Sequence, residues 1–102
     1  MKPPYWAVIF TSRRTELDSG YAETAARMEA LAANQPGYLG LEHAGDPRGA
    51  ITVSYWQTEQ DLLAWKQVVE HQEAQRRGKA EWYRQYEVRV CKVERAYGFA
   101  KK

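Results

Sequence analysis

Proton transfer and hydrogen bonding could be carried out by side chains in the middle of this sequence, around Trp65 and His71. A histidine with an unperturbed pKa can take up a proton near neutral pH, which makes His71 a candidate general base, and an exposed surface histidine is the alternative. Trp65 lies in an apolar helical stripe, where core packing is the ordinary role of tryptophan. In an unbroken helix, position 71 would lie about 240° around the axis from position 65. The two side chains could face one site only if the helix breaks, and Val68-Val69 is the predicted place.

Other candidates lie in a strand and after the second helix. Tyr55 and Trp56 are strand neighbours, so one should line the helix side of the sheet while the other points away, and the pattern does not say which. Arg77 belongs to a basic cluster at positions 76–79, which reads as a solvated helix end or, alternatively, as a substrate-anion clamp. Trp82 is favoured as a packing residue.

The sequence argues against a disulfide within the chain and against a structural zinc site. Cys91 is the single cysteine, and no Cys/His cluster has zinc-site spacing. His43, the other histidine, is predicted to be solvated or paired across strands. The run Tyr5 to Phe10 is too short to span a membrane, and the N-terminus lacks the features of a signal peptide. These features predict a reduced, cytoplasmic protein without a membrane partner.

Length and composition predict one globular domain over residues 1–102. The chain is 44% apolar and carries 13 aromatic residues, which is enough to close a core. Fifteen Lys and Arg against 13 Asp and Glu leave a net charge of +2. So small a net positive charge argues against binding to the phosphate backbone of nucleic acids.

Hydrophobic periodicity predicts six elements. The first strand is apolar on both alternating sets of positions, which is typical of a strand covered on both faces. Capping residues and turn formers delimit the others. The predicted elements are a strand at Tyr5–Ser12, a helix between Asp18 and Gln35, a hairpin of strands Tyr38–His43 and Ala50–Trp56, a helix starting at Thr58, and a strand at Tyr83–Tyr97.

This β-α-β-β-α-β order predicts an α+β fold, a four-stranded antiparallel sheet with both helices on one face. The other face would then be uncovered. Because the first strand is apolar on both sides and no second layer remains in the chain, we expect that face to pack on a second copy in a homodimer.

The same residues resemble the antibiotic biosynthesis monooxygenase family across nearly the whole chain, Tyr5 to Gly98. The resemblance lies in the strand Tyr5–Phe10, the turn Gln35–Gly40, the strand Ile51–Trp56, and the stretch from Ala64-Trp65-Lys66 through His71 to Trp82-Tyr83. It implies a ferredoxin-like domain that dimerises through its sheets into an α/β barrel, with a pocket between helices and sheet.

The resemblance also implies an activity, the oxygenation of a polycyclic or phenolic aromatic substrate by O₂ with no cofactor. The tryptophan matching Trp65 borders the pocket in the family, where its indole N–H can donate to a substrate oxygen. We therefore predict that Trp65, His71 and Tyr55 are catalytic residues. We predict that Trp56, Arg77 and Trp82 bind the substrate.

Two alternatives share this fold. A non-catalytic dimeric module that binds a small aromatic ligand would use the same pocket. Haem-degrading relatives combine a first-strand asparagine with a tryptophan and a histidine on the second helix. The only asparagine here, Asn34, lies near the end of the first helix, so this activity is disfavoured.

Overall fold

The computed structural model describes residues 1–71 and 81–101, and in these ranges all side chains except those of Glu70 and His71. The predicted element order is confirmed. The elements are β1 (Tyr5–Arg14), α1 (Tyr21–Ala33), β2 (Tyr38–Asp46), β3 (Gly49–Trp56), α2 (Glu59–His71) and β4 (Tyr83–Val93).

The four strands form one antiparallel sheet in the order β2-β3-β1-β4. Trp6 of β1 lies opposite Trp56 of β3, and directly opposite residues point to the same face. On that face the buried cluster joins Ala32 of α1, Trp56, and Leu62 of α2. Both helices therefore cover the same face, as predicted, and the core lies between them and β3.

Helix α2 begins where the sequence predicts. The Thr58 hydroxyl accepts a hydrogen bond from the backbone N–H of Asp61 at 3.1 Å and donates one to the Asp61 carboxylate at 2.7 Å. This cap satisfies one of the amides that the first turn of a helix leaves free. Asp61 in turn packs against Gly37, where an added Cβ would overlap its carboxylate and where φ is +79°. Glycine is required there for both reasons.

The ends of β2 and β4 and the course of α2 differ from the sequence-based predictions. Strand β2 extends past His43 to Asp46, because the Asp46 carboxylate accepts the N–H of Arg48 at 2.7 Å and leaves only a two-residue turn. Strand β4 ends at Val93, before Tyr97. The predicted break at Val68-Val69 is wrong, since α2 continues as regular helix to His71. Two β-branched residues lower helix propensity only slightly, which is too little to interrupt the helix.

The sheet face opposite the helices carries apolar side chains. No helix or second sheet of the described chain packs over this face. It is formed by the odd-numbered positions of β1 and β3, among them Ile9, Val53 and Ile51, the last 52% exposed. Among the described residues, no helix is long and apolar enough to cross a bilayer.

Candidate functional site

Trp65 is the candidate residue that the structure places most clearly on the helix side of the sheet. Its half-buried ring stacks on Trp56, with ring centroids 5.9 Å apart and an interplanar angle of 24°. Trp56 is 0% exposed and also receives the edge of Tyr38 at 5.7 Å. The fully buried ring of Trp56 thus supports the ring of Trp65, which remains partly exposed to solvent.

The indole N–H groups separate the tryptophans into two kinds. Trp56 Nε1 donates to Ser54 Oγ at 2.9 Å, and Trp82 Nε1 donates to the Ser19 carbonyl at 3.1 Å. Within residues 1–71 and 81–101, the indole N–H groups of Trp6 and Trp65 have no acceptor. Because Trp65 is also partly exposed, its donor is available to a ligand.

An apolar surface extends along the sheet on the same side as Trp65. Val8 packs on the cluster that also holds Trp65, and Val90 lies opposite Val8 on β4. One pair further along, Phe10 lies opposite Val88. Val88 and Val90 are 52% and 48% exposed. We call these four residues, Val8, Phe10, Val88 and Val90, the helix-side apolar surface, which suits a flat, apolar ring system.

Tyrosines border the far end of this surface. Phe10 stacks on Tyr86, with centroids 5.2 Å apart, and meets Tyr83 edge-on at 5.6 Å. Burial, and next the nearby Tyr21, raises the pKa of Tyr83 well above its ordinary value. Tyr83 therefore stays a neutral phenol at physiological pH, able to donate a hydrogen bond and unsuited to act as a base.

Tyr55 lies on the other face of the sheet, opposite Ala7 and away from the helices. Its hydroxyl donates to Glu42 Oε1 at 2.6 Å, and this bond to a carboxylate, with partial burial, raises the pKa of Tyr55 to about 12. The ambiguity between the two neighbours is thereby resolved, because Trp56 is the one that faces the helices. Tyr55 and Trp65 therefore lie on opposite sides of the sheet.

The other candidates are less exposed or fall outside the described chain. Trp82 is 3% exposed and packs edge-on against Tyr21 at 5.5 Å, as expected of a packing residue. Trp56 is too deeply buried to touch a ligand directly, and it supports Trp65 instead. Arg77 and the side chain of His71 lie outside the described residues.

His43 is predicted to be solvated or paired across strands, and it is both: the residue is exposed, and its Nδ1 lies 2.7 Å from Thr52 Oγ1 on the neighbouring strand. The described part of the chain contains no group of three or more His, Cys, Asp or Glu side chains arranged to hold a metal ion.

Sequence reasoning did not assign the helix-side apolar surface to the site. The signal was present in the alternation of Tyr86, Val88 and Val90 along the last strand. Alternation alone says that these side chains share a face, but it does not say that the helices leave them uncovered.

Comparison with known proteins places the chain among small monooxygenase-like domains. Residues 7–77 match the family model described as antibiotic biosynthesis monooxygenase. The uncharacterized protein YqjZ of Bacillus subtilis (strain 168) is 50% identical over 95 residues, 92% of this chain and 83% of that protein.

Solved structures share the fold at low identity. SnoaB, a cofactor-independent oxygenase from Streptomyces nogalater, superposes with a TM-score of 0.69 at 11% identity, covering 92% of this chain and 97% of its own. NE2512, a protein of unknown function from Nitrosomonas europaea, gives 0.70 at 14% identity, with 96% and 97% covered. At such identities these likenesses establish the fold alone.

Proposed function

Because this chain belongs to the antibiotic biosynthesis monooxygenase family, we propose that it is a cofactor-independent monooxygenase that oxidises a phenolic or polycyclic aromatic substrate with O₂. The observation that carries the proposal is Trp65, which stacks on the fully buried Trp56 on the helix side of the sheet and whose indole N–H has no acceptor in the described residues. SnoaB, which shares the fold, is described as a cofactor-independent oxygenase, and this supports the same chemistry here.

Such a reaction requires few functional groups of the protein, because the substrate itself reduces O₂. Loss of a proton converts the substrate to a phenolate or enolate, which can pass one electron to O₂. Recombination of the two radicals forms a carbon–oxygen bond and a hydroperoxide. Breaking the O–O bond with loss of water leaves a carbonyl, so that anthrone and O₂ would give anthraquinone and H₂O. The protein must bind the ring, stabilise the anion and exclude bulk water.

Two of these tasks, binding the ring and stabilising the anion, have candidates in the described chain. The helix-side apolar surface would hold the flat ring, and Trp65 would donate to the oxygen that becomes negative. A donor that is already in place costs no reorganisation when charge develops, which is why such donors accelerate reactions. Trp65 is held in place by its stacking on Trp56.

His71 remains the predicted base on residue chemistry. Its position in unbroken α2, about 240° around the axis from position 65, means that both residues could serve one substrate only if that substrate reaches around the helix. His71→Ala tests this role separately from that of Trp65.

The test is oxygen consumption by purified, metal-free protein supplied with anthrone or 1-naphthol. We expect O₂ uptake with matching growth of quinone absorbance. Trp65→Phe keeps most of the ring packing and removes the donor, and losing one such donor should lower turnover about 10²-fold. Its melting temperature should change little, because the indole N–H has no acceptor in the described chain.

Trp82→Phe is the matched control. It removes an equivalent indole, but one that is buried against Tyr21 and whose N–H donates to the Ser19 carbonyl, away from Trp65. We expect it to lower stability by about 1–3 kcal/mol through the lost hydrogen bond and the space left by the smaller ring, and to retain turnover in the folded fraction. Equal turnover by Trp65→Phe and the unaltered protein would reject the proposed role of Trp65. Saturable binding of the aromatic panel without O₂ uptake would instead favour a non-catalytic ligand-binding module.

We also propose that the protein is a homodimer that pairs through the sheet face opposite the helices. Ile51 on that face is 52% exposed. Beyond β4, Tyr97 and Phe99 are 96% and 89% exposed, which is unusual for two aromatics so close in sequence. A second copy would cover apolar surface of this kind.

A further inference from the structure

A cleft of about 830 Å³ lies at the end of the sheet away from Trp65. It is bounded by the end of β1, the β2–β3 turn and the start of α1. Trp65 is associated with Trp6 at the start of β1, whereas the cleft is lined by Arg14 at its end. Eight residues of strand separate these points, or about 26 Å. The cleft is therefore distant from Trp65, and it adjoins the proposed site only at the tyrosine end of the helix-side apolar surface, where Tyr21 contacts Tyr83.

Four arginines line this cleft. They are Arg13, Arg14, Arg48 and Arg84. None of them forms an ion pair with a described carboxylate, in contrast to Arg89 of β4, which pairs with Glu87 at 2.6 Å. Arginines gathered without ion-pair partners repel one another, and an anion bound between them would relieve that repulsion.

The backbone brings three of these arginines together. The N–H of Arg14 donates to the carbonyl of Arg48 at 2.6 Å, so the strand end and the turn are adjacent. On the other side, the partner of β1 shifts from Gln85 to Tyr83 between Arg13 and Arg14, which leaves Arg84 as the extra residue of a bulge. Bulges re-aim side chains, and Arg84 faces the cleft.

Arg14 is also held in position. Its guanidinium carbon lies 3.5 Å from the centre of the Tyr21 ring, and Nη2 donates to the Leu17 carbonyl at 3.3 Å. Its Nε–H is buried and has no acceptor in the described chain. A guanidinium that is already ordered loses less entropy when it binds an anion.

Acidic residues at the cleft do not neutralise these arginines. Glu16, Asp18 and Asp46 also line it. The Asp46 carboxylate accepts the backbone N–H groups of Arg48 and Gly49, which lowers its pKa and commits its charge to the turn. The other two side chains are exposed and form no ion pair with the arginines. No arginine of the cleft thus has a described carboxylate within ion-pair distance.

We propose that this cleft binds the oxyanion group of an organic acid, a carboxylate or a phosphate, through Arg14, Arg48 and Arg84. Planar guanidiniums match both groups in two-pronged hydrogen bonding. The cleft is larger than a lone phosphate needs, so the rest of the ligand occupies the space beside His43 and Pro47. This inference does not depend on oxygenase activity.

Calorimetric titration of the full chain tests the proposal with two probes, inorganic phosphate and 2-naphthoate, and with neutral 2-naphthamide beside the second. We expect saturable binding of at least one anion and at least tenfold weaker binding of the amide. Tighter phosphate binding would identify a phosphorylated ligand, and tighter naphthoate binding a carboxylic acid. No saturable binding of either anion would overturn the proposal.

The double variant Arg48→Gln with Arg84→Gln should weaken anion binding at least tenfold. Both side chains are exposed, so the fold should tolerate the change. Arg89→Gln is the matched control, since it removes an exposed arginine of β4 that does not line the cleft, and it should bind within twofold of the unaltered protein. An equal loss in both would reject the cleft. Arginine Nε resonances in ¹⁵N NMR give an independent readout, in which shifts confined to Arg89 would also contradict it.

Discussion

Tyr55 shows how one contact can change the titration of a residue. Its hydroxyl donates to Glu42, and its pKa rises from 10.0 to about 12. Below pH 10 both the folded and the unfolded chain keep the proton. Between about pH 10 and 12 the unfolded chain loses it first, so the free energy of unfolding falls as pH rises.

We therefore predict that Tyr55→Phe weakens this alkaline loss of stability, measured by urea denaturation at about pH 9 and pH 11. Glu42→Gln should lower the pKa of Tyr55 toward its ordinary value, because the carboxylate is the largest cause of the shift. Absorbance at about 295 nm reports phenolate formation in both variants. If Glu42→Gln leaves the titration unchanged, the hydrogen bond does not set the pKa. Tyr83 contributes in the same direction in every variant.

At the scale of elements, the start of α2 matters because this helix carries Trp65. Thr58→Ala removes the acceptor for the Asp61 N–H and should destabilise the protein by about 1 kcal/mol. For a domain of this size, that corresponds to a fall in melting temperature of about 4–8 °C. Thr58→Ser keeps both hydrogen bonds and should melt close to the unaltered protein. A similar fall in both variants would indicate that the methyl group, rather than the cap, is responsible.

At the scale of the whole molecule, the proposed dimer predicts a mass of about twice 11.8 kDa in sedimentation equilibrium. Ile51→Arg places a charge on the open sheet face and should shift the equilibrium toward monomer. Leu63→Arg is the control, since Leu63 is 48% exposed on α2 and lies outside the proposed interface. A monomeric unaltered protein, or equal dissociation by both variants, would contradict this interface.

Local signals were sufficient for the element order. Period-two alternation, the Thr58 cap and the turn formers at 45–49 each act over a few residues, and each marks an element or a turn of the structure, although β2 and β4 end elsewhere than predicted. The antiparallel four-stranded sheet and the placement of both helices on one face then followed from the few topologies that such an order allows. The candidate role of Trp65 came from family resemblance together with its helical stripe.

What the sequence could not decide depends on contacts between distant residues. The choice between Tyr55 and Trp56 rests on which face the helices cover, because neighbours in a strand differ only in the side to which they point. The unbroken course of α2 shows that two β-branched residues do not outweigh a continuous helix. The arginine-lined cleft arises where a strand end, a turn and a bulge meet. Arg14, Arg48 and Arg84 are separated by more than thirty positions at each step, so only the folded sheet could show them as neighbours.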